Sequence, residues 1–392
     1  MSNLIIVPIA ETALRSIFLY LSAMRVPYLD LKPIHDSLRE ELDGAYRQVM
    51  DESYFVHGSA VTNFEKAFAQ KLGVEHCLAV GNCTDALFIV LKMLGVGQGH
   101  EVLVPAMTWI SDAEVVSNLG AVPVFVDVDA ETYCIDVAQL EEKITPRTKA
   151  IVPVHLYGQM ANMDSLMKVA EAHGLWVVED CAQAHFAQQN SAMAGTVGHA
   201  AVFSFYPTKN LGALGDAGAI VTNDKALYTA CRKMANHGAL DKHDHEFAGV
   251  NSRMDTLQAA VLNIKLKYID GWNKERNALA LRYFKGLEGI SAVQLPHKAD
   301  NNEHVYHVFQ VLIEHRDDLK AYLKDCGVQT QIHYPKALPF TKAYSTVNTK
   351  ATDFPVAFKL QNQALSLPVY PGLEHDRQDF VIAKMTEFFN RS

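Results

Sequence analysis

The chain lacks most of what a secreted, membrane-bound or nucleic-acid-binding protein needs. Its six cysteines (Cys77, Cys83, Cys134, Cys181, Cys231 and Cys326) are scattered over 392 residues with no paired spacing. That pattern excludes a disulfide frame or a zinc knuckle and reads as reduced thiols in a cytoplasmic protein. Basic residues are outnumbered, 35 Lys and Arg against 44 Asp and Glu, giving a formal net charge of −9. Binding a nucleic-acid backbone needs clustered cations, and no such cluster occurs, so no nucleic-acid partner is expected. A long apolar run is missing too. Residues 1–23 contain an apolar stretch, but Pro8, Glu11 and Arg15 interrupt it and no basic flank precedes it. It satisfies neither a spanning helix nor an export signal, so no membrane contact is expected. The segment reads as an extension of unclear role, upstream of the domain, with a weak amphipathic helix as the other reading. His243-Asp244-His245 lies in a polar stretch and reads as a solvated loop before it reads as a metal site. Gly95-Val-Gly-Gln-Gly99 follows a helical pattern and precedes a strand, the reverse of the order that a dinucleotide loop requires.

What is present is an ordinary globular composition, 49% hydrophobic and 20% charged, on a chain long enough for two domains. Leu38, Leu42, Tyr46 and Val49 recur at helical spacing between residues 36 and 50, and a second helix is predicted over 62–72. Short, continuous apolar runs then follow at 77–80, 102–105, 122–128, 150–156, 175–180, 200–205 and 219–222. Helical patterns at 84–94, 164–173 and 225–236 separate several of them. Continuous rather than alternating apolar strands imply burial on both faces, hence an α/β fold with a large, mostly parallel sheet covered by helices. A long helix is predicted over 255–272. Beyond it a run at 304–313, a helix at 316–326, a strand at 328–332 and a last helix near 377–389 predict a smaller C-terminal α/β domain. The expected division is 24–272 for the large domain and 273–392 for the small one.

Ligands of such sheets sit at the carboxyl ends of the strands, and there the sequence places its chemistry. Asp180 ends one apolar run, Ser204 lies at the end of another, and Lys209 follows a few residues later, just before a glycine-rich stretch. A lysine able to reach a carbonyl carbon, and an acid able to keep a pyridine nitrogen protonated, are the two parts of a pyridoxal 5′-phosphate (PLP) enzyme. Asp180 alone reads equally well as a helix cap. Paired with Asp180, Lys209 would form the resting Schiff base and, once released, shuttle the substrate's proton. Gly81-Asn82-Cys83-Thr84 opens a helix after a strand, so its amides and the Thr84 hydroxyl can cradle a phosphate; capping is the other role open to Thr84. Ser204 can add a second hydroxyl. Trp109 can stack on the ring, although core packing is the ordinary reading of a lone tryptophan. Gln183, three residues past the acid, can reach the cofactor's phenolic oxygen.

Five segments, Gly81-Asn-Cys-Thr-Asp-Ala-Leu87, Pro153-Val-His-Leu-Tyr-Gly158, Glu179-Asp-Cys-Ala-Gln-Ala-His185, Ser204-Phe-Tyr-Pro-Thr-Lys209 and Asn251-Ser-Arg-Met-Asp255, together resemble the DegT/DnrJ/EryC1/StrS family of PLP-dependent nucleotide-sugar aminotransferases. The resemblance covers the chain from about Val26 onward. It implies the aspartate-aminotransferase fold (fold type I) and a homodimer with shared active sites. It implies PLP on Lys209, ring-nitrogen contact by Asp180, phenolic-oxygen contact by Gln183, and phosphate contact by Cys83, Thr84 and Ser204, with Trp109 over the ring. It further implies that Asn251 reaches the neighbouring subunit's cofactor phosphate and that Arg253 binds an amino-donor carboxylate. His333 and Tyr334 would approach the sugar, a turn in the small domain being the alternative. The implied reaction uses L-glutamate to aminate a dTDP-3-oxo-6-deoxyhexose to a dTDP-3-amino-3,6-dideoxyhexose, for antigen (O-antigen lipopolysaccharide) or antibiotic sugars. A 4-oxo-sugar or UDP-sugar enzyme, and a non-catalytic PLP-binding regulatory relative, are the alternatives. Two departures stand out: Cys83 replaces the usual glycine, and Phe186 replaces the glycine after His185, where it is expected to reshape the sugar pocket.

Overall fold

A computed structural model describes residues 24–241, 243–347 and 349–391; the extension at 1–23 lies outside them. All seven apolar runs become strands of one sheet: β1 (His76–Val80), β2 (Glu101–Pro105), β3 (Val122–Val126), β4 (Thr148–Ile151), β5 (Trp176–Asp180), β8 (Ala200–Ser204) and β9 (Gly218–Thr222), after the two-residue strands β6 (Gln188–Gln189) and β7 (Ala192–Met193). Their order is β1-β9-β8-β5-β4-β2-β3. The β2/β3, β2/β4, β4/β5 and β5/β8 pairs are parallel, while β9 runs antiparallel to both its neighbours. The sheet is therefore mostly parallel, and β2, β8 and β9 are buried along their whole length. The carboxyl ends of β1, β2, β5 and β8 consequently share one edge of the sheet.

The predicted helix at 36–50 is two helices, Lys32–Ser37 and Arg39–Glu52, interrupted at Leu38. The long helix predicted at 255–272 is likewise two, Thr256–Lys265 and Ile269–Leu287. Tight turns from Lys267 N to Ile264 O (3.1 Å) and Tyr268 N to Lys265 O (3.0 Å) break it. Of the run at 304–313 only β11 (Phe309–Leu312) is a strand, pairing antiparallel with β12 (Ala364–Leu367); β10 (Asn302–Glu303) joins β6. The strand predicted at 328–332 makes only isolated bridges, Val26 to Val328 and Gln331 to Ser366. Helices Arg316–Asp325 and His375–Asn390 form as expected. No described helix is long and apolar enough to cross a membrane.

The described residues form two hydrophobic cores, one around the seven-stranded sheet and one around Tyr283, Phe309, Leu319, Leu323 and Val381. Helix Ile269–Leu287 runs through residue 272. Val26 joins the second core, whereas Ala337, Leu338, Ala357 and Leu360 join the first. Buried Asp127, just past β3, fastens this returning segment: its two oxygens accept the Val356 and Ala357 amides at 2.9 Å, capping helix Pro355–Gln363 from afar. Beneath the sheet's helices Phe64, Phe68, Phe203 and Phe205 meet edge to face. Phe186 belongs to this cluster, 5.7 Å from Phe68, and is buried. The expectation that it reshapes the sugar pocket is therefore corrected. At φ 64° the Phe186 backbone occupies the left-handed region, uncommon for a bulky residue.

Candidate active site

Helix Cys83–Met93 starts directly behind β1. Its cap is Asn82, whose side chain accepts the Asp85 amide at 2.8 Å, so capping does not occupy Thr84. The Thr84 hydroxyl instead meets the Ser111 hydroxyl at 2.7 Å, at the start of helix Ser111–Asn118. Cys83 opens the helix with a negative φ, and a side chain in place of glycine is tolerated there. Its thiol is pushed well above its usual pKa by burial and by Asp180, so Cys83 offers this edge a backbone amide and a neutral thiol.

Gly218 makes the edge compact. It pairs with Val80 on one side and Ser204 on the other, and a Cβ there would lie 2.4 Å from the Asn82 carbonyl carbon and 2.7 Å from the Cys83 nitrogen. Backbone cannot yield as a flexible side chain can. Gly218→Val is expected to destabilise the fold by about 1–3 kcal/mol, the range for overpacking, and to displace the helix amides from Ser204. Chemical denaturation checks the first effect and inorganic phosphate or cofactor titration the second; unchanged midpoint and affinity would refute this account.

Lys209 lies on a loop held at several points. Phe205 N bonds Ala217 O and Ala213 N bonds Phe205 O, both at 2.8 Å, and Lys209 N turns back to Tyr206 O. Asn210 donates to Asn273 at 2.9 Å and to Val305 O at 3.1 Å. Buried Lys265 donates to Gly212 O at 2.7 Å. The Lys209 ammonium pKa is lowered by burial, with Asp180, Cys83 and Asp112 pulling it back up. A lysine so placed loses its proton more readily than one in water, as a nucleophilic amine requires.

Asp180 ends β5, buried, with Oδ1 accepting the Ala182 amide at 2.7 Å. Gln183 accepts the Tyr157 amide through Oε1 at 2.7 Å and donates Nε2 to the Tyr334 hydroxyl at 2.9 Å. Tyr334 also faces Trp109, ring centres 5.6 Å apart. The Trp109 indole is 59% exposed, so it lies open to a ligand and is not packed in the core. His333 turns the other way, its Nδ1 bonded to Ser366 Oγ at 2.8 Å. Burial and Lys209 bring its pKa down to about 4, leaving a neutral imidazole at physiological pH. His185, buried against Phe203 and Phe205 with a pKa of about 3, is equally unsuited to proton transfer.

Cys83, Thr84, Trp109, Asp180, Gln183, Ser204, Lys209 and Tyr334 thus converge on one edge. Asn251 and Arg253 do not join them within the chain. Asn251 is exposed, and the intervening Ser252 ties this segment to the helix start by accepting the Gly81 amide at 3.0 Å and donating to Asp85 at 2.7 Å. Ser111, Asp112, Tyr157 and Ser252 escaped sequence reasoning. The Ser-Asp pair just after Trp109 was the one signal available for the first two. His155, Glu179 and Cys181 lie close enough together to hold a metal, but the donors of His155 and Glu179 are already used, and burial holds the Cys181 thiol well above its usual pKa. Glu179 accepts His155 Nε2 (2.7 Å) and the Gly195, Val197 and Gly198 amides, and His155 Nδ1 accepts the Ala161 amide. The His243–His245 segment is exposed loop, as its polarity implied.

The residues on this edge fit PLP. They offer helix amides with Thr84 and Ser204 hydroxyls for a phosphate, a buried carboxylate for a ring nitrogen, an open indole for the ring and a lysine of lowered pKa. Over 362 residues the chain is 44% identical to the erythromycin biosynthesis sensory transduction protein EryC1 of Saccharopolyspora erythraea, covering 92% of this chain and 99% of that protein. It is 42% identical to the dTDP-3-amino-3,4,6-trideoxy-alpha-D-glucose transaminase of Streptomyces venezuelae, covering 94% and 97%. The crystal structure of S. venezuelae DesV in complex with a ketimine intermediate superposes with a TM-score of 0.92 at 42% identity, covering 94% of this chain and 99% of that one. Residues 36–386 match the DegT/DnrJ/EryC1/StrS aminotransferase family, and the chain belongs to that family of PLP-dependent aminotransferases.

Proposed function

We propose that the enzyme transfers an amino group from L-glutamate to a nucleotide-linked keto-sugar, a dTDP-3-oxo-6-deoxyhexose, giving a dTDP-3-amino-3,6-dideoxyhexose. The convergence of Lys209, Asp180 and the Thr84–Ser204 cradle at one sheet edge carries the reading, and the dTDP-sugar transaminase among its relatives supports this substrate class. Bound PLP supplies the electron sink for the substrate's carbanion. The helix amides at Cys83 and Thr84, with the Thr84 and Ser204 hydroxyls, bind the phosphate. Asp180 holds the proton on the ring nitrogen, Gln183 orients the phenolic oxygen and Trp109 covers the ring face. Lys209 Nζ carries the cofactor and then moves a proton to and from the substrate carbon.

Tyr334 borders the sugar side, with His333 behind it, held by Ser366, and Arg253 binds the donor carboxylate. The assembly is a cytoplasmic homodimer in which Asn251 reaches the partner's cofactor phosphate. Exposed Tyr54, Phe55 and Val56, apolar residues adjoining Asp255 by the Val56 bridge, support a covering second copy.

Adding L-glutamate to the PLP-loaded enzyme is expected to bleach the visible band of the lysine-bound cofactor. A dTDP-3-oxo-sugar, and not its 4-oxo isomer or a UDP-linked sugar, is expected to restore it. Restoration by either competitor moves the assignment to that substrate. No bleaching by any amino donor would favour a regulatory relative, the reading that the EryC1 name favours.

A further inference from the structure

Asp112 is fully buried in the first turn of helix Ser111–Asn118. Its Oδ2 accepts the Thr108 hydroxyl at 2.7 Å. Its Oδ1 receives no donor among the described residues, and the Asp180 carboxyl faces it within hydrogen-bonding reach. Two ionised carboxylates in that position would repel one another in a water-poor site, with one oxygen unsolvated. A single proton between them removes both problems and creates a charge-assisted O–H···O⁻ bond. Asp180 already accepts a backbone amide, whereas Asp112 is helped only by a neutral hydroxyl, so the proton belongs on Asp112.

We propose that Asp112 is a positioning residue, held as the neutral acid and donating its proton to Asp180, so that the pair keeps one negative charge for the cofactor's ring nitrogen. The proposal rests on the PLP site described above. It has a consequence for Lys209, because an ionised Asp112 would stabilise the ammonium and delay release of the free amine. The groups facing Asp112 from the surrounding elements are Asp180 of β5, Lys209 of the loop after β8, Cys83 of helix Cys83–Met93 and Tyr334. Cys83 and Tyr334 are both shifted upward by burial and stay neutral, so that among the described residues Lys209 is the cation opposing the proton.

Burial and Asp180 raise the Asp112 pKa well above the usual carboxylate range. The sign for stability follows: the folded protein keeps a proton that the unfolded chain has released. This contribution is present at acid pH and lost as pH rises through the folded value.

The test takes infrared difference spectra of wild type minus Asp112→Asn, once for the cofactor-free and once for the PLP-loaded protein. The asparagine keeps a donor toward Asp180 but cannot ionise. Wild type is expected to show the carbonyl stretch of a protonated carboxyl group at neutral pH, absent from the variant. Alkaline titration should remove it together with a fall in melting temperature that the variant lacks. Asp112→Asn should retain PLP, while Asp112→Leu, with no donor, should bind it about tenfold more weakly. No protonated-carboxyl band, a band that survives in Asp112→Asn, or identical pH dependence of melting would each overturn the proposal. Loss of the visible PLP band in wild type would instead overturn the cofactor-site reading, and the infrared band of the cofactor-free protein would still decide the protonation of Asp112.

Discussion

Lys209→Ala is expected to lower turnover by more than about 10³-fold, the scale on which a positioned proton-transfer group acts, with a further loss from removing the nucleophile. The phosphate cradle and Asp180 do not depend on the lysine side chain, because helix Cys83–Met93, β8 and β5 position them. Pyridoxamine phosphate should therefore still bind, and the variant should lose chemistry without losing affinity. Measuring cofactor affinity by calorimetry beside single-turnover amination separates the two. Turnover within tenfold of wild type would remove Lys209 from the centre of the reaction. Loss of both affinity and folding would leave its role to be read from Lys209→Arg, which keeps the charge and length but does not supply a free amine at neutral pH.

The second large effect concerns the acid. Asp180→Asn replaces a charge-assisted bond to the ring nitrogen with a neutral one. Hydrogen bonds to charged groups are worth about 1.5–3 kcal/mol, so PLP affinity is expected to fall on the order of 10–100-fold. Turnover should fall further, because a ring nitrogen no longer held protonated is a weaker electron sink, and that loss costs more in the transition state, where charge develops on the substrate carbon, than in the ground state. A drop in kcat at saturating cofactor is the expected signature. A variant restored to wild-type kcat merely by excess PLP would show that Asp180 binds the cofactor and does no more.

The site was legible in the sequence where its residues follow strands. Asp180 and Ser204 stand at the ends of runs so apolar that no helix pattern competes with them, Thr84 follows another such run into the helix behind it, and the seven strands were readable for the same reason. The helix break at residues 266–268 was not readable, because Leu266, Lys267 and Tyr268 are tolerated in a helix and the apolar spacing continues through the turn. The edge segment at 328–332 has strand composition, but only single bridges reach it from Val26 and Ser366. Phe186 misled because its position in a motif says nothing about which way the ring points, and in the fold it packs against Phe68. Asp112 stayed hidden for a different reason. An aspartate early in a helix is ordinary near the positive end of the dipole, and its significance arises only when the fold sets β5 beside it.

The returning segment that Asp127 caps has a consequence for how the protein is made. During synthesis the first 330 residues leave the ribosome before Ala337, Leu338, Ala357 and Leu360 exist to complete the sheet core. Val26, made among the first, has no finished core to enter until helix His375–Asn390 has emerged. The nascent chain therefore carries unfinished apolar surface in both cores until helix His375–Asn390 has been made, a state in which aggregation competes with folding. A stop codon near residue 335 should accordingly yield insoluble protein, not a smaller working domain.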